Sequence, residues 1–193
     1  MTVGTYCGQR IGVLTSKFGS PAVAMVAETL AQFGVHNVVG LGFCGGLSPS
    51  VASGDLLIPV GAVRNEGTTP HYAPPIFPAL PDLGILSRLE LRLQTTTPMR
   101  THRGIVWTTD AILMETSEAV REWSDLGVMG VDMECAALFV VSHLSGIKAA
   151  AVLVVSDHPE RGELANSERV RVAHDAGALA VLDVAAALSA DSP

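Results

Sequence analysis

Charged residues are scarce in this sequence, and no cluster of lysine and arginine occurs anywhere in its 193 residues. Charged side chains make up 16% of the chain, and 12 lysines and arginines against 19 aspartates and glutamates give a formal charge of −7. A protein that binds nucleic acid or an anionic membrane surface needs a basic patch, which this chain lacks. A small molecule is therefore the predicted partner, and neither nucleic acid nor a membrane is expected to bind.

Long apolar runs, cysteine pairs and a leader segment are also missing. Every apolar run ends well short of the roughly 18 residues that span a membrane, so no transmembrane helix is predicted. The residues Met1–Tyr6 have neither the basic region nor the apolar stretch of a signal peptide. The cysteines Cys7, Cys44 and Cys135 form no CxxC pair and lie among apolar neighbours, which indicates reduced thiols. Together these absences predict a cytoplasmic protein.

The sequence does contain an alternation of short apolar segments and amphipathic segments. Apolar residues make up 48% of a chain whose length suits one domain, so residues 1–193 are predicted to form a single domain. The apolar segments predict strands at Arg10–Leu14, His36–Leu41, Asp55–Val63, Arg103–Trp107 and Lys148–Val155. The others predict helices at Pro21–Phe33 with Ser20 as N-cap, Asp82–Gln94, Ser117–Ser124, Asp132–Ser145 and Asn166–Leu188. This alternation predicts an α/β fold, a three-layer α/β/α sandwich around a central mixed, largely parallel sheet.

Two irregular loops are predicted between these segments, at Gly42–Gly54 and at the proline-rich stretch Thr68–Pro81. The first overlaps Gly40–Gly45, which satisfies the GxGxxG pattern of a dinucleotide site directly after a strand. The context excludes that site, because a dinucleotide fingerprint opens a helix and Leu47–Ser50 cannot continue one. Two interpretations stay open: a tight turn that needs positive φ, or a backbone brought close to another ligand.

Neither a metal site nor a serine hydrolase is predicted. The six histidines are scattered and show neither the HExxH motif nor a zinc-binding spacing with cysteine. A GxSxG nucleophile elbow is also missing.

Carboxylates at two places are candidate functional groups. Asp132 and Glu134 lie at the start of a predicted apolar helix, where the helix dipole favours negative charge. Ordinary capping accounts for Asp132, whereas Glu134 needs polar partners because the helix becomes wholly apolar there. Asp157 directly follows a buried strand, at the edge of the sheet where α/β proteins bind ligands. A loop-capping role for Asp157 is an equally good interpretation.

Short motifs distributed over nearly the whole chain form an ordered series. They are Gly4-Thr5-Tyr6, Gly19-Ser20-Pro21, Gly42–Leu47, Gly54-Asp55, Glu66–Tyr72, Val131–Ala137 and Ser156-Asp157. This series resembles the nucleoside phosphorylase family, which includes purine nucleoside phosphorylases, uridine phosphorylases and methylthioadenosine nucleosidases. The most specific part is the pairing of Val131–Ala137 with Ser156-Asp157. The resemblance implies a central sheet of the nucleoside phosphorylase type.

The resemblance also implies a role for each residue of the two most specific motifs. Met133 would pack on the ribose, and Glu134 would accept hydrogen bonds from its 2′- and 3′-hydroxyls. Asp157 would be the general acid that protonates N7 of a purine, Ser156 would hold that acid or the base, and Arg169 would be the acid's charged partner. Cleavage of an N-glycosidic bond builds positive charge on the ribose and negative charge on the base, so an anchored carboxylate and a proton donor suit it.

The phosphate-binding part of the family pattern is altered in this sequence. Gly40 stands where the family has an arginine, and Phe43 replaces a hydroxyl residue in the remnant of the phosphate loop, Gly42, Phe43, Cys44 and Gly45. The chain is also expected to lack the family's first strand and the phosphate loop that follows it. Loss of arginine and hydroxyl donors removes charge-assisted hydrogen bonds to an anion.

Three functions are therefore compatible with the sequence. The leading one is cleavage of a nucleoside, with a purine as the expected base and orthophosphate as a possible co-substrate. The alternatives are a nucleosidase that uses water and a catalytically silent nucleoside-binding homologue. The resemblance implies no cofactor and a homo-oligomer, in which Arg64 or Arg10 of a neighbouring subunit could complete a phosphate site.

Overall fold

The computed structural model describes residues 1–158 and 167–191, and this part of the chain forms a mixed α/β structure. The strands are β1 (Thr2–Tyr6), β2 (Gln9–Val13), β3 (Asn37–Gly46), β4 (Leu56–Asn65), β5 (Thr101–Thr109), β6 (Gly130–Asp132) and β7 (Lys148–Asp157). The α-helices are α1 (Ser20–Gln32), α2 (Leu83–Thr96), α3 (Ser117–Asp125), α4 (Cys135–Leu144) and α5 (Ser167–Ala190). The predicted alternation of strands and helices is confirmed.

Five strands form the central sheet, in the order β3-β6-β5-β4-β7. The pairs β3–β7, β4–β5 and β5–β6 are parallel, so the sheet is mixed and largely parallel, as predicted. Short antiparallel pairings of β3 with β6 and of β4 with β7 complete a closed barrel. This closure was not anticipated from the sequence.

Strand β7 lies between two layers of helices. Its residues Leu153 and Val155 pack in a core with α4, whereas Val152 and Val154 pack in a second core with α2 and α5. A strand that is buried on both faces needs apolar residues at every position, which explains the uninterrupted apolar run of β7. The predicted three-layer arrangement is confirmed.

The strands β1 and β2 form a separate antiparallel hairpin. Its turn contains Cys7 at φ 48° and Gly8 at φ 77°. The hairpin is tied to the helices through Tyr6, whose hydroxyl donates to Oδ1 of Asp183 in α5 over 2.9 Å. Arg92 of α2 donates from Nε to Oδ2 of the same carboxylate over 2.7 Å.

Strand β3 continues through Gly46, so the prediction of a loop beginning at Gly42 is wrong for its first five residues. The interpretation of this stretch as a tight turn with positive φ is also wrong, because none of its glycines has such a φ. A Cβ at Gly40 would lie 3.2 Å from Cδ2 of Leu138, and one at Gly46 would lie 3.2 Å from Cγ1 of Val155. The glycines at these two positions allow close packing within the protein.

Two helix starts differ from the prediction. The N-cap of α1 is Gly19 rather than Ser20, and the Ser20 hydroxyl instead donates to the carbonyl oxygen of Met133 over 2.9 Å. The helix predicted from Asp132 begins at Cys135, because Asp132 ends the short strand β6 and Met133 and Glu134 form a bend after it. A strand of three residues is too short to be recognised by its periodicity.

Helix α5 is, between Glu168 and Ala190, long and apolar enough to cross a membrane by length and composition alone. This segment was not singled out from the sequence, because Asp175 and Asp183 interrupt its apolar stretches. In the structure, Ala173, Ala180 and Val184 of this helix are buried in the core shared with α2 and β7. One face of α5 therefore packs against α2 and β7 in the α/β fold.

Candidate active site

The two most specific motifs meet at the end of β3. In the sheet register, Gly45 of β3 lies opposite Asp157 of β7 on one side and opposite Val131 of β6 on the other. Met133 and Glu134 follow β6 directly, in the short segment before α4. Three strand ends thus bring a carboxylate from each motif to one edge of the sheet, where α/β proteins commonly bind ligands.

Glu134 is half-buried and receives its hydrogen bonds from the backbone. Its Oε1 accepts from the amide of Gly19 over 2.7 Å, and its Oε2 accepts from the amide of Met133 over 3.3 Å. Burial raises the pKa of Glu134, and the hydrogen bond from Gly19 offsets part of this rise. The bond between Ser20 and Met133 fixes the same junction, so the start of α1 holds the Glu134 side chain in place.

Asp132 has the structural role expected of it. Its Oδ2 accepts from the amides of Cys135 over 2.7 Å and Glu134 over 3.3 Å, which caps the start of α4. Its Oδ1 accepts from the hydroxyl of Thr108 over 2.6 Å. Burial raises the pKa of Asp132, and these hydrogen bonds offset part of that rise. The carboxylate therefore holds β5 and α4 together beneath the site.

Ser156 and Asp157 form the last two residues of β7, so Asp157 ends a strand rather than lying in a loop. The Ser156 hydroxyl donates to Oδ1 of Asp157 over 2.6 Å and also lies 3.2 Å from the carbonyl oxygen of Cys44. Both residues are half-buried. The short contact orients the Asp157 carboxyl group at the edge of the sheet.

Glu115 is an acidic neighbour of Asp157 that the sequence analysis missed. It lies between the end of β5 and α3, and burial together with the negative charge of Asp157 raises its pKa to about 7. Its neighbours Ile112, Leu113 and Met114 are exposed, so the partial burial of Glu115 is specific to this side chain. A single glutamate between two elements gives no sequence signal, because only the tertiary fold brings it near Asp157.

Arg169 lies in the first turn of α5, beside Asp55 at the start of β4. Its Nη2 is 3.6 Å from Oδ1 of Asp55, and its own side chain is half-exposed. Asp55 is buried, and its Oδ2 lies 2.8 Å from Nε2 of His102. Gly54-Asp55 is recognisable in the sequence only as a motif, and neither Asp55 nor His102 was predicted to belong to the site.

The altered phosphate-loop residues Phe43 and Cys44 lie on opposite faces of β3. Phe43 stacks on His174 of α5, with ring centroids 5.6 Å apart and planes inclined by 9°. Cys44 is buried in the core that includes α4. Its pKa is raised well above the usual value, mainly by burial and further by the charges of Asp132 and Asp157.

The Arg64 side chain donates its hydrogen bonds within its own chain. Its Nε donates to the hydroxyl of Thr69, and its two terminal nitrogens donate to the carbonyl oxygens of Thr69, Ala73, Pro74 and Phe77. These bonds use all five N–H groups of a guanidinium to shape the loop after β4. No N–H of Arg64 is left for a phosphate in a neighbouring subunit.

A cleft of about 490 Å³ lies at the opposite end of the sheet from the candidate site. It is lined by His36, Asn37, Arg88, Gly146, Lys148, Leu188 and Asp191. Asn37 and Lys148 begin the ten-residue strands β3 and β7, so the cleft lies roughly 30 Å from Asp157 at about 3.3 Å per residue. Within residues 1–158 and 167–191, no group of histidine, cysteine and acidic residues could hold a metal ion.

Comparison with known proteins places the chain in a family. The family model described as Phosphorylase superfamily matches residues 1–190. A purine nucleoside phosphorylase of the DeoD type from Shewanella amazonensis is 32% identical over 184 residues, which cover 94% of this chain and 78% of that protein. A uridine phosphorylase from Treponema pallidum is 29% identical over 98% of this chain and 78% of its own length. A guanosine phosphorylase from Halorubrum lacusprofundi is 29% identical over 78% of this chain, and the match spans only 62% of that relative.

Solved structures show the same fold. The crystal structure of a uridine phosphorylase from Vibrio fischeri superimposes with a TM-score of 0.87 at 25% identity, over 94% of this chain and 76% of that one. Nucleoside phosphorylases of the DeoD type need no cofactor and use phosphate as a co-substrate. The family match over nearly the whole chain and the shared fold establish that this protein belongs to the phosphorylase superfamily.

Proposed function

We propose that this protein cleaves the N-glycosidic bond of a purine nucleoside. The observation that carries the proposal is that Asp157 and Val131, which lies three residues before Glu134, flank Gly45 at the end of β3. One carboxylate is held by backbone amides and the other is oriented by a neighbouring hydroxyl. The family supports a small nucleoside as substrate, since its relatives are named purine nucleoside, uridine and guanosine phosphorylases.

Each side chain takes one part of the proposed reaction. Glu134 accepts hydrogen bonds from the ribose hydroxyls, and Met133 packs on the sugar. As the bond between C1′ and the base breaks, its electron pair moves to the base, and Asp157 donates a proton to N7. Ser156 keeps the Asp157 carboxyl group in position, and Arg169 is its charged partner. The carboxylate on the sugar side and the acid on the base side match the charges that develop in the transition state.

The acceptor of the ribosyl group distinguishes two forms of this proposal. In phosphorolysis, a phosphate oxygen forms the new bond to C1′ and ribose 1-phosphate is the product. In hydrolysis, a water oxygen forms that bond, loses a proton and leaves free ribose. The contacts of Phe43 with His174 and the internal hydrogen bonds of Arg64 favour hydrolysis, because neither position offers a donor to an anion.

Base release from inosine, adenosine, guanosine and uridine, each with and without orthophosphate, tests the proposed function. We expect release from the purine nucleosides and a loss of roughly 10²–10⁴-fold in Asp157→Asn. The matched control is Asp125→Asn, which removes an exposed carboxylate on α3 and leaves the rate unchanged. Cleavage of uridine alone would contradict the role of Asp157, and binding of nucleosides without any cleavage would identify a silent homologue.

We propose that the protein acts as a homo-oligomer, as the family resemblance implies. Large apolar side chains are exposed on α1 and on the proline-rich loop: Met25 is 67%, Phe33 79% and Ile76 93% exposed. Contact with a second copy of the chain would remove this apolar surface from water. Light scattering after size-exclusion chromatography is expected to give at least twice the monomer mass, and a monomer at all concentrations would contradict the proposal.

A cytoplasmic location is also proposed. Cys7 is exposed, Cys44 and Cys135 are buried, and all three are free thiols in the structure. Reduced thiols suit a reducing compartment. Thiol titration of the freshly isolated protein is expected to detect all three, and a disulfide would contradict this location.

A further inference from the structure

We propose that Asp55 is a positioning residue that anchors the Arg169 side chain at the candidate active site, with His102 fixing the orientation of Asp55. The proposal rests on the function proposed above, in which Arg169 is the charged partner of Asp157. Asp55 itself touches neither substrate nor base in this scheme. It acts on the reaction through Arg169.

The Asp55 carboxylate is built to hold a cation. It is 2% exposed, and its Oδ2 lies 2.8 Å from Nε2 of His102 while accepting from the amide of Ala52 over 3.1 Å. Its Oδ1 lies 3.6 Å from Nη2 of Arg169. A carboxylate removed from water is stable only if it is paired and hydrogen-bonded, and these three groups provide both.

Gly54 makes room for Arg169 beside this carboxylate. Gly54 has φ +85°, and a Cβ built on it would lie 2.8 Å from Cβ of Arg169 and 3.2 Å from its Nε. Any side chain at Gly54 would therefore displace the arginine, in addition to straining the backbone. At the Gly54-Asp55 pair, the missing side chain of the glycine thus leaves room for the arginine, and the carboxylate of the aspartate attracts its charge.

The Gly54-Asp55 pair is hydrogen-bonded to strand β7, which carries the proposed acid Asp157. The amide of Gly54 donates to the carbonyl oxygen of Val155 over 2.8 Å, and the amide of Val155 donates to the carbonyl oxygen of Asp55 over 3.0 Å. The Ser53 hydroxyl donates to the carbonyl oxygen of Ser156 over 2.9 Å. The backbone that anchors Arg169 is therefore hydrogen-bonded to the two residues immediately before Asp157. These hydrogen bonds fix the position of the Gly54-Asp55 pair along β7, and with it the position of Arg169.

The anchor matters because the Arg169 side chain is half-exposed. A long, solvated arginine samples many rotamers, and ordering it costs conformational entropy each time it acts. A fixed, buried anion restricts the guanidinium to one region before substrate arrives. Such preorganisation reduces the reorganisation that the reaction requires.

Thermodynamic coupling between the two side chains tests the anchor without reference to activity. The variants Asp55→Asn, Arg169→Gln and their combination are compared by urea unfolding. We expect non-additive effects, with Arg169→Gln shifting the midpoint less in the Asp55→Asn background than in the wild type. The control is Arg171→Gln, two residues further along α5, where Arg171 pairs with Glu168 and Asp175 instead of Asp55, and its effect is expected to add to that of Asp55→Asn. Additive effects of Asp55→Asn and Arg169→Gln would overturn the proposal.

Chemical rescue tests the positioning role in the reaction. Arg169→Ala is expected to lower kcat for base release by roughly 10–100-fold. Guanidinium chloride, at concentrations far below those that unfold the protein, is expected to restore part of this loss by binding beside Asp55. The same addition is expected to restore nothing in the double variant Asp55→Asn, Arg169→Ala. Equal rescue in both variants, or no rescue in either, would overturn the proposal.

A second variant keeps the test decisive if Asp55→Asn does not fold. His102→Gln retains the carboxylate but removes the imidazole that lies 2.8 Å from Oδ2 of Asp55, so it is expected to lower kcat in the otherwise wild-type protein and to lower it less in Arg169→Ala. Equal losses of kcat in both backgrounds would count against the anchoring of Arg169 by Asp55. If the wild-type protein releases no base from any nucleoside, the proposed function fails, whereas the coupling measured by unfolding still decides whether Asp55 anchors Arg169.

Discussion

At the residue scale, the proposed recognition of the sugar depends on a carboxylate that the start of α1 holds from one side. Glu134 accepts from the amides of Gly19 and Met133, and burial raises its pKa. Within residues 1–158 and 167–191, the hydrogen-bond donors to Glu134 are backbone amides, so its orientation depends on how α1 and α4 meet. The local sequence indicated that Glu134 needed partners, but Gly19, 115 positions earlier, was not identifiable as one of them.

Glu134→Gln is expected to lower kcat/KM for ribonucleosides more than for 2′-deoxynucleosides. The substitution keeps one acceptor for Gly19 but removes the charge that accepts from the ribose 2′-hydroxyl. A hydrogen bond to a charged group contributes roughly 1.5–3 kcal/mol, so kcat/KM for a ribonucleoside should fall by about 10–100-fold. The 2′-deoxynucleoside serves as the internal control in steady-state kinetics. Equal losses for both substrates would contradict sugar recognition by Glu134.

Glu115 gives the protein a pH-dependent stability. Its pKa is raised from 4.5 to about 7, first by burial and then by the charge of Asp157. The folded state therefore binds this proton more tightly than the unfolded state, so the stabilisation is complete below the unfolded pKa and is lost as the pH rises through about 7. Because water screens part of the side chain, we expect a change of roughly 1–2 kcal/mol rather than the full value of the shift.

The variant Glu115→Gln is expected to remove this dependence. Urea unfolding should give similar stabilities for variant and wild type at about pH 4, and a more stable variant at about pH 8, by roughly 1–2 kcal/mol. Glu122→Gln, an exposed glutamate on α3, is the matched control and should follow the wild type. Parallel pH profiles for Glu115→Gln and wild type would mean that Glu115 does not titrate differently in the folded protein.

At the element scale, sequence patterns located the long regular elements and missed the short ones. Helix α2 was predicted at Asp82–Gln94 and runs from Leu83 to Thr96, with Asp82 as its N-cap accepting from the amide of Ile85 over 2.9 Å. Strand β6 has three residues and owes its existence to pairing with β3 and β5, which no local pattern reveals. Strand β1 was missed because the turn after it places a cysteine at positive φ, where asparagine or glycine is the usual signal.

The carboxylate of Asp183 ties the hairpin of β1 and β2 to α2 and α5, in addition to the packing of β2 against α5. Asp183 accepts from Tyr6 of the hairpin and from Arg92 of α2, and the hydrogen bond to this carboxylate is the main cause of the raised pKa of Tyr6. We expect Asp183→Ala to increase hydrogen exchange of the β1 and β2 amides by about tenfold while β7 stays protected. Asp191→Ala, which breaks only the Arg88–Asp191 pair between α2 and α5, is the control. Unchanged exchange in the hairpin would show that Asp183 does not hold it.

At the scale of the whole molecule, the fold class followed from the alternation of strand and helix patterns and the family from the order of the motifs, whereas the neighbours within the site required the structure. The sequence predicted Glu134, Ser156 and Asp157 as site residues, because Glu134 lies at the start of a recognisable helix and the other two lie at the end of a recognisable strand. It did not bring forward Asp55 or Glu115, since their proximity to the site arises only from sheet closure and loop packing. Residues whose role depends on a distant partner carry no local pattern, and this limits what one sequence can reveal.

The phosphate requirement is the property of the whole molecule in which this chain is expected to differ from its relatives. The resemblance places Gly40 and Phe43 where phosphate ligands are expected. In the structure, Gly40 packs against Leu138 and Phe43 stacks on His174. The terminal nitrogens of Arg64 donate to carbonyl oxygens of the loop after β4. Loss of two charge-assisted hydrogen bonds of roughly 1.5–3 kcal/mol each weakens the binding of an anion by about 10²–10⁴-fold. We therefore expect titration calorimetry of the native oligomer to show no submillimolar phosphate affinity, and base release to proceed slowly without ribose 1-phosphate. Phe43→Ser returns a hydroxyl and should bind phosphate more tightly than the wild type. Formation of ribose 1-phosphate by the wild type would establish phosphorolysis instead, with phosphate held by groups other than these three side-chain positions.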